Sequence, residues 1–163
     1  GGTFAGENTL CDGVDGIPGN GDDACQASGG DECTTAIAVS DGANAFDTSA
    51  MTPSQPQPDE TDCTGLYAMQ WNNCNDGWYV YVATGGLTTF DTCDPTSFDT
   101  SLVLYEDDCD NQVACNGDSD DDTGCQIYHS IIEYDCVAGA TYYIRIGEWN
   151  GGSGGAGTLN IIP

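Results

Sequence analysis

Carboxylates are the residues here with chemistry to do. The chain carries 27 acidic side chains against one Arg and no Lys, a net charge of −26. Two clumps stand out. Asp12, Asp15, Asn20, Asp22 and Asp23 lie near the start, and Asp118, Asp120, Asp121 and Asp122 form a second run. Like charges this close repel and oppose a compact state, so something must neutralise them. Short carboxylates beside Gly and Asn on tight turns suit Ca²⁺, a hard cation that gathers many oxygens. The expected cofactor is therefore Ca²⁺, held at these two loops. A surface adapted to high salt is the rival account of the acidity. Nucleic acid is excluded as a partner, because a phosphate backbone needs a basic face.

The remaining candidates are single residues. Arg145, the lone cation, is expected in a structural ion pair with its stem packed on a sheet. His129 has Ser130 beside it, but adjacent strand residues point to opposite faces, so no Ser–His–Asp triad follows. Asp99 reads as a turn cap for backbone amides. Paired carboxylates for glycoside hydrolysis carry no information where acids are everywhere. The glycine run 151–155 contains only one other residue, Ser153, and no Lys, so it is no phosphate loop. Among Trp71, Trp78 and Trp149, Trp149 beside that run is the best candidate to stack on a sugar ring, with Trp71 as the other.

Ten cysteines, namely Cys11, Cys25, Cys33, Cys63, Cys74, Cys93, Cys109, Cys115, Cys125 and Cys136, contain no Cys-x-x-Cys. With a single His, zinc is a poor fit. All ten are expected in disulfides formed in an oxidising, extracellular compartment. The near neighbours Cys11–Cys25 and Cys109–Cys115 are the pairs expected first. No apolar run is long enough to span a bilayer, so no membrane span is expected.

These residues must be held by short strands. Residues 1–30 are rich in Gly and Asp and lack a core of their own. From 31 to 163, runs at 35–39, 43–47, 78–83, 87–91, 101–105, 112–115, 126–134, 141–146 and 157–162 read as strands bounded by turn residues. Along 142–146, Tyr143 and Arg145 share one face with Gly147, and Tyr142, Ile144 and Ile146 the other. Residues 52–60 carry Pro53, Pro56 and Pro58 and read as an irregular extended loop. The pattern predicts an all-β, jelly-roll-like antiparallel sandwich, rich in disulfides, behind an irregular leader.

Several of these pieces, in order, resemble the secreted bacterial pre-peptidase C-terminal-like (PPC-like) modules. They are Asp31-Glu32-Cys33 with Phe46-Asp47-Thr48, Asp76-Gly77-Trp78-Tyr79-Val80-Tyr81, Phe98-Asp99-Thr100-Ser101-Leu102-Val103-Leu104-Tyr105, Val113-Ala114-Cys115-Asn116-Gly117-Asp118, and the run from Val137 to Gly147. The resemblance implies a sandwich without catalytic residues of its own. The leader resembles a thrombospondin type 3 calcium repeat, in Leu10-Cys11-Asp12-Gly13-Val14-Asp15-Gly16-Ile17 and Gly21-Asp22-Asp23-Ala24-Cys25.

Two functions follow as expectations. The first is a non-catalytic, secreted structural protein: a subunit of an extracellular filament or sheath stabilised by calcium and disulfides. In it the leader packs on a neighbouring subunit, so the partner is another copy, head to tail. The alternative is a carbohydrate- or matrix-binding accessory module of a secreted hydrolase, with an extracellular polysaccharide as partner.

Overall fold

The computed structural model describes residues 29–65, 71, 73–119, 125–126 and 128–163. Among them nine strands follow one another: β1 (Ile37–Ala38), β2 (Gly42–Asp47), β3 (Gly77–Val82), β4 (Gly86–Asp91), β5 (Thr100–Glu106), β6 (Gln112–Asn116), β7 (Ile131–Cys136), β8 (Thr141–Glu148) and β9 (Ala156–Ile162). They form an all-β sandwich of two sheets. One sheet has five strands in the order β1-β3-β8-β5-β6, and the other has four in the order β2-β9-β4-β7. Pairing is antiparallel throughout except for β1, which runs parallel to β3. The chain leaves β1 to build β2 in the opposite sheet before it returns to β3.

Each expected strand is present, with two shortened: of the run 35–39 only Ile37–Ala38 is strand, because Thr35 closes a 3-10 turn from Cys33. Of the run 126–134 only the part from Ile131 is strand. Tyr128 sits at a φ of 78°, and Ser130 Oγ lies 2.7 Å from the Thr100 carbonyl and 3.0 Å from that of Asn116. A hydroxyl that satisfies carbonyls between strands takes its segment out of the ladder.

Between the sheets the core is aliphatic and aromatic. Tyr79, Tyr81, Leu102, Leu104, Tyr142, Ile144 and Ile146 face Phe46, Phe90, Ile132, Leu159 and Ile161. The Tyr79 hydroxyl is buried without a partner, but those of Tyr142 and Tyr81 reach rim carboxylates: Tyr142 donates to Glu106 at 2.7 Å and Tyr81 to Asp41 at 2.7 Å. This is how an aromatic side chain packs without stranding its polar tip.

The five-stranded sheet is covered on its far side as well. A second cluster, with Trp71, Cys74, Trp78, Val103, Tyr105 and Cys115, lies against its outer face. The cover is the irregular chain around Cys33 and the proline loop before β3. Two disulfides staple it down, Cys33–Cys109 and Cys63–Cys115, closing separations of 76 and 52 residues. A third, Cys93–Cys125, pins the segment before β7. The expected Cys109–Cys115 pair is therefore wrong. Both cysteines flank or lie on β6, but each reaches across to the covering layer instead of to its neighbour. Cys74 and Cys136 are free and buried, so not every cysteine is bridged. They belong to different clusters, on opposite sides of the five-stranded sheet, and burial pushes both thiols up. Cys11 and Cys25 lie outside the described residues. No described helix is long and apolar enough to cross a membrane.

Candidate functional site

Three places on the molecule gather polar chemistry. The first is the buried Arg145 on β8. Its parity in the strand points it to the outer face of the five-stranded sheet, into the covering layer. Its Nη2 donates to Asp76 Oδ2 at 2.8 Å and to the Ser54 carbonyl at 2.9 Å, and Nη1 donates to the Pro56 carbonyl at 2.9 Å. Asp76 in turn accepts from Ser54 N at 3.0 Å and Ser54 Oγ at 2.6 Å. The guanidinium carbon stands 4.9 Å from the Trp71 ring centre and 5.2 Å from that of Trp78. Arg145 and Asp76 are both fully buried. A charge pair out of water needs such partnering, and of the pair's polar atoms only the buried Arg145 Nε lacks a hydrogen bond. The expected structural ion pair is present, and its role is to lock the proline loop onto the sheet. Trp71, named as an exposed stacking candidate, is 1% exposed and packs over Gly147, so it is unavailable to a ligand.

The second place is the end of the five-stranded sheet where β5 begins. Trp149 N–H donates to the Asp99 carbonyl at 3.1 Å, extending the β5–β8 register by one pair. Directly opposed residues share a face, so Asp99 and Trp149 lie on the same side. On the other edge of β5, Thr100 N–H donates to the Tyr128 carbonyl at 3.1 Å. Asp99 does not cap a turn, contrary to expectation. No described residue donates to its carboxylate, and its Oδ1 is enclosed without a partner. Burial, then the neighbouring Asp118 and Glu148 carboxylates, push its pKa up to about 6. His129 is buried nearby with both ring nitrogens unpartnered, and Asp118 is raised by burial while His129 opposes that shift. Ser130 Oγ is committed to backbone carbonyls, so His129 has no serine to activate.

The third place is the edge of the four-stranded sheet. Thr48 N–H bonds the Gly155 carbonyl at 2.9 Å, which sets the parity of the β2–β9 ladder. By alternation the N–H and C=O of Ala43 and Ala45 then point away from β9, along an open edge.

The expected ligands of Ca²⁺ are only partly within view. Asp12, Asp15, Asn20, Asp22, Asp23, Asp120, Asp121 and Asp122 lie outside the described residues, as does the stretch that resembles a thrombospondin repeat. Asp118 is half-buried. The hairpin of β5 and β6 forms, but its tip, with Asp107, Asp108 and Asp110, is at the far end from Asp118, roughly 15 Å along the strands. Among the described residues no three His, Cys, Asp or Glu side chains are grouped to hold a metal ion. Many described aspartates instead bind their own turns. Asp47, Asp59, Asp91 and Asp94 each accept the amide two residues on, and Asp108 accepts two amides. None of these turn aspartates was among the expected ion ligands, and the Asp-x-Ser and Asp-x-Thr spacing at Asp47, Asp59 and Asp94 is the sequence signal for such side chain-to-backbone turns. Sequence reasoning missed Asp76, whose place before a glycine reads as a turn.

No family model matches this chain, and no curated protein matches it. A solved structure that it is similar to is the pre-peptidase C-terminal domain of collagenase from Bacillus anthracis. The match is 12% identical with a TM-score of 0.46, and covers 77% of this chain and 93% of that one. The sandwich described above stands on this chain's own strand pairing.

Proposed function

We propose that this chain is a non-catalytic, secreted structural protein, a subunit of an extracellular filament or sheath. The observation that carries the reading is the edge strand β2. Gly42-Ala43-Asn44-Ala45-Phe46 holds no charge, no proline and no bulge, and most of it is exposed. Sheet proteins that stay single blunt such an edge with lysine, proline or a bulge. Here acids stand only at its ends, Asp41 and Asp47. A strand from a second copy adds to this edge by main-chain hydrogen bonds. The segment 1–30 of a neighbour is the proposed donor, and a head-to-tail contact of that kind does not close, so it yields a filament. Ca²⁺ at Asp12, Asp15, Asn20, Asp22 and Asp23, and at Asp118, Asp120, Asp121 and Asp122, is the proposed counterweight to a net charge of −26. The three disulfides support an oxidising, extracellular setting.

The test is electron microscopy of native material with and without a chelator, beside the variant Ala45→Pro. Proline removes an outward N–H that β9 does not use, so the subunit keeps its own ladder. Fibres from the unaltered protein and single subunits from Ala45→Pro, at similar melting temperatures, support the reading. Single subunits from the unaltered protein in both conditions overturn it.

A further inference from the structure

Tyr128 and Trp149 are the two aromatic side chains that the described surface exposes, at 56% and 42%. Both fall at the same end of the five-stranded sheet. Trp149 is bonded to residue 99 on one edge of β5 and Tyr128 to residue 100 on the other, so their backbones are two strand spacings apart, about 10 Å. Between them sits Asp99, half-buried, with no described donor to its carboxylate.

We infer that this end of the sheet binds a neutral polysaccharide, with Trp149 and Tyr128 as stacking surfaces on either side of the acidic Asp99. The inference is independent of assembly through β2, which lies at the edge of the other sheet.

Rigidity argues for it first. Tyr128 holds a φ of 78°, in the left-handed region. A bulky L-residue keeps that conformation only when its surroundings over-determine it, and such strain collects at functional positions. Those surroundings are the Cys93–Cys125 bridge just upstream, the Thr100 amide on the Tyr128 carbonyl, and the Ser119 amide on the His129 carbonyl at 2.6 Å. Trp149 is fixed through its own backbone bond to Asp99. Both rings are thus presented to solvent by an ordered backbone, so little entropy is lost when a ligand stacks on them.

Charge selects the ligand. Asp99 has Asp118 and Glu148 as its electrostatic neighbours, and Glu148 is itself occupied by the Gly154 amide at 2.6 Å. Acidic sugars are repelled from this row. A point cation is a poor fit too, since no three of these groups converge. An extended, uncharged chain with apolar ring faces matches two exposed aromatic rings set about 10 Å apart in acidic surroundings.

The experiment is affinity electrophoresis, followed by calorimetry, with soluble glucans, mannans and galactans. Polygalacturonate serves as the acidic probe and polylysine as the cationic one. Retention by at least one neutral polymer is expected, weakened about tenfold or more by Trp149→Ala and by Tyr128→Ala. Leu87→Ala, on the exposed face of the other sheet, leaves binding unchanged, and melting curves confirm that each variant is folded. Failure of every neutral polymer to bind overturns the inference. So does binding indifferent to both aromatic variants, or binding of polylysine alone.

Discussion

The two sheets turn their outer faces to different worlds. On the five-stranded sheet the middle of the outer face is buried, with Trp78, Val103, Tyr105 and Arg145 under the covering layer, and exposure returns only toward its rim at Val82. On the four-stranded sheet Ala43, Ala45, Leu87, Glu133, Asp135 and Ile162 are all exposed. Strand composition follows. β5 reads Thr-Ser-Leu-Val-Leu-Tyr with every residue buried, as in a strand covered on both faces, whereas β7 alternates through Ile132, Glu133, Tyr134, Asp135 and Cys136. The difference teaches where stability is stored. A layer without regular structure can cover a sheet if disulfides hold it and the one buried cation meets a counter-charge there.

Breaking the covered face should cost most. Asp76→Ala leaves the Arg145 guanidinium buried without its counter-charge, and a loss of about 3–5 kcal/mol is expected in urea unfolding. Glu133→Ala on the open face should stay within about 0.5 kcal/mol, and equal losses for the two would erase the contrast. Removing the Cys63–Cys115 staple with paired serines should lower stability by about 2–5 kcal/mol and expose Trp71 and Trp78, read by a red shift in fluorescence. Gly147→Ala is subtler. A Cβ there would clash with the Trp71 ring, so about 1–3 kcal/mol is lost to overpacking, and the near-ultraviolet dichroism of that indole changes.

The smallest effect concerns Asp99 and carries a sign. Its folded pKa is raised to about 6 from an ordinary 3.8, so the folded state holds the proton more tightly than the unfolded one. Stability from this group is complete below pH 3.8 and is lost as the pH rises through about 6. Asp99→Asn, which resembles the protonated form, should therefore melt higher than the parent at pH 7.5 and equally at pH 3.5. A parent as stable as the variant at pH 7.5 would mean that the carboxylate finds donors.

Strand positions were legible because apolar, β-branched and aromatic runs bounded by Gly, Asn and Asp can be read locally. The outer orientation of Arg145 was legible for the same reason, since side-chain parity is a property of one strand. What misled was the segment 126–130, where a tyrosine in a left-handed conformation and a serine bonded between strands stop the ladder that composition suggested. Asp99 was read as a turn cap, yet the aspartates that bond their own turns are Asp47, Asp59, Asp91, Asp94 and Asp108, because the same short side chain suits either setting and only the fold decides which amides come within reach.

By itself the sequence determined an all-β chain with an irregular proline loop, a dense negative charge and a single cation that must be paired. Tertiary structure alone decided which acid pairs with it, which cysteines meet, and which tryptophan stays in solvent. Those outcomes depend on segments far apart in the chain brought to one face, as with Asp76 and Arg145, or Cys33 and Cys109. Local periodicity carries no information about which distant partner arrives there.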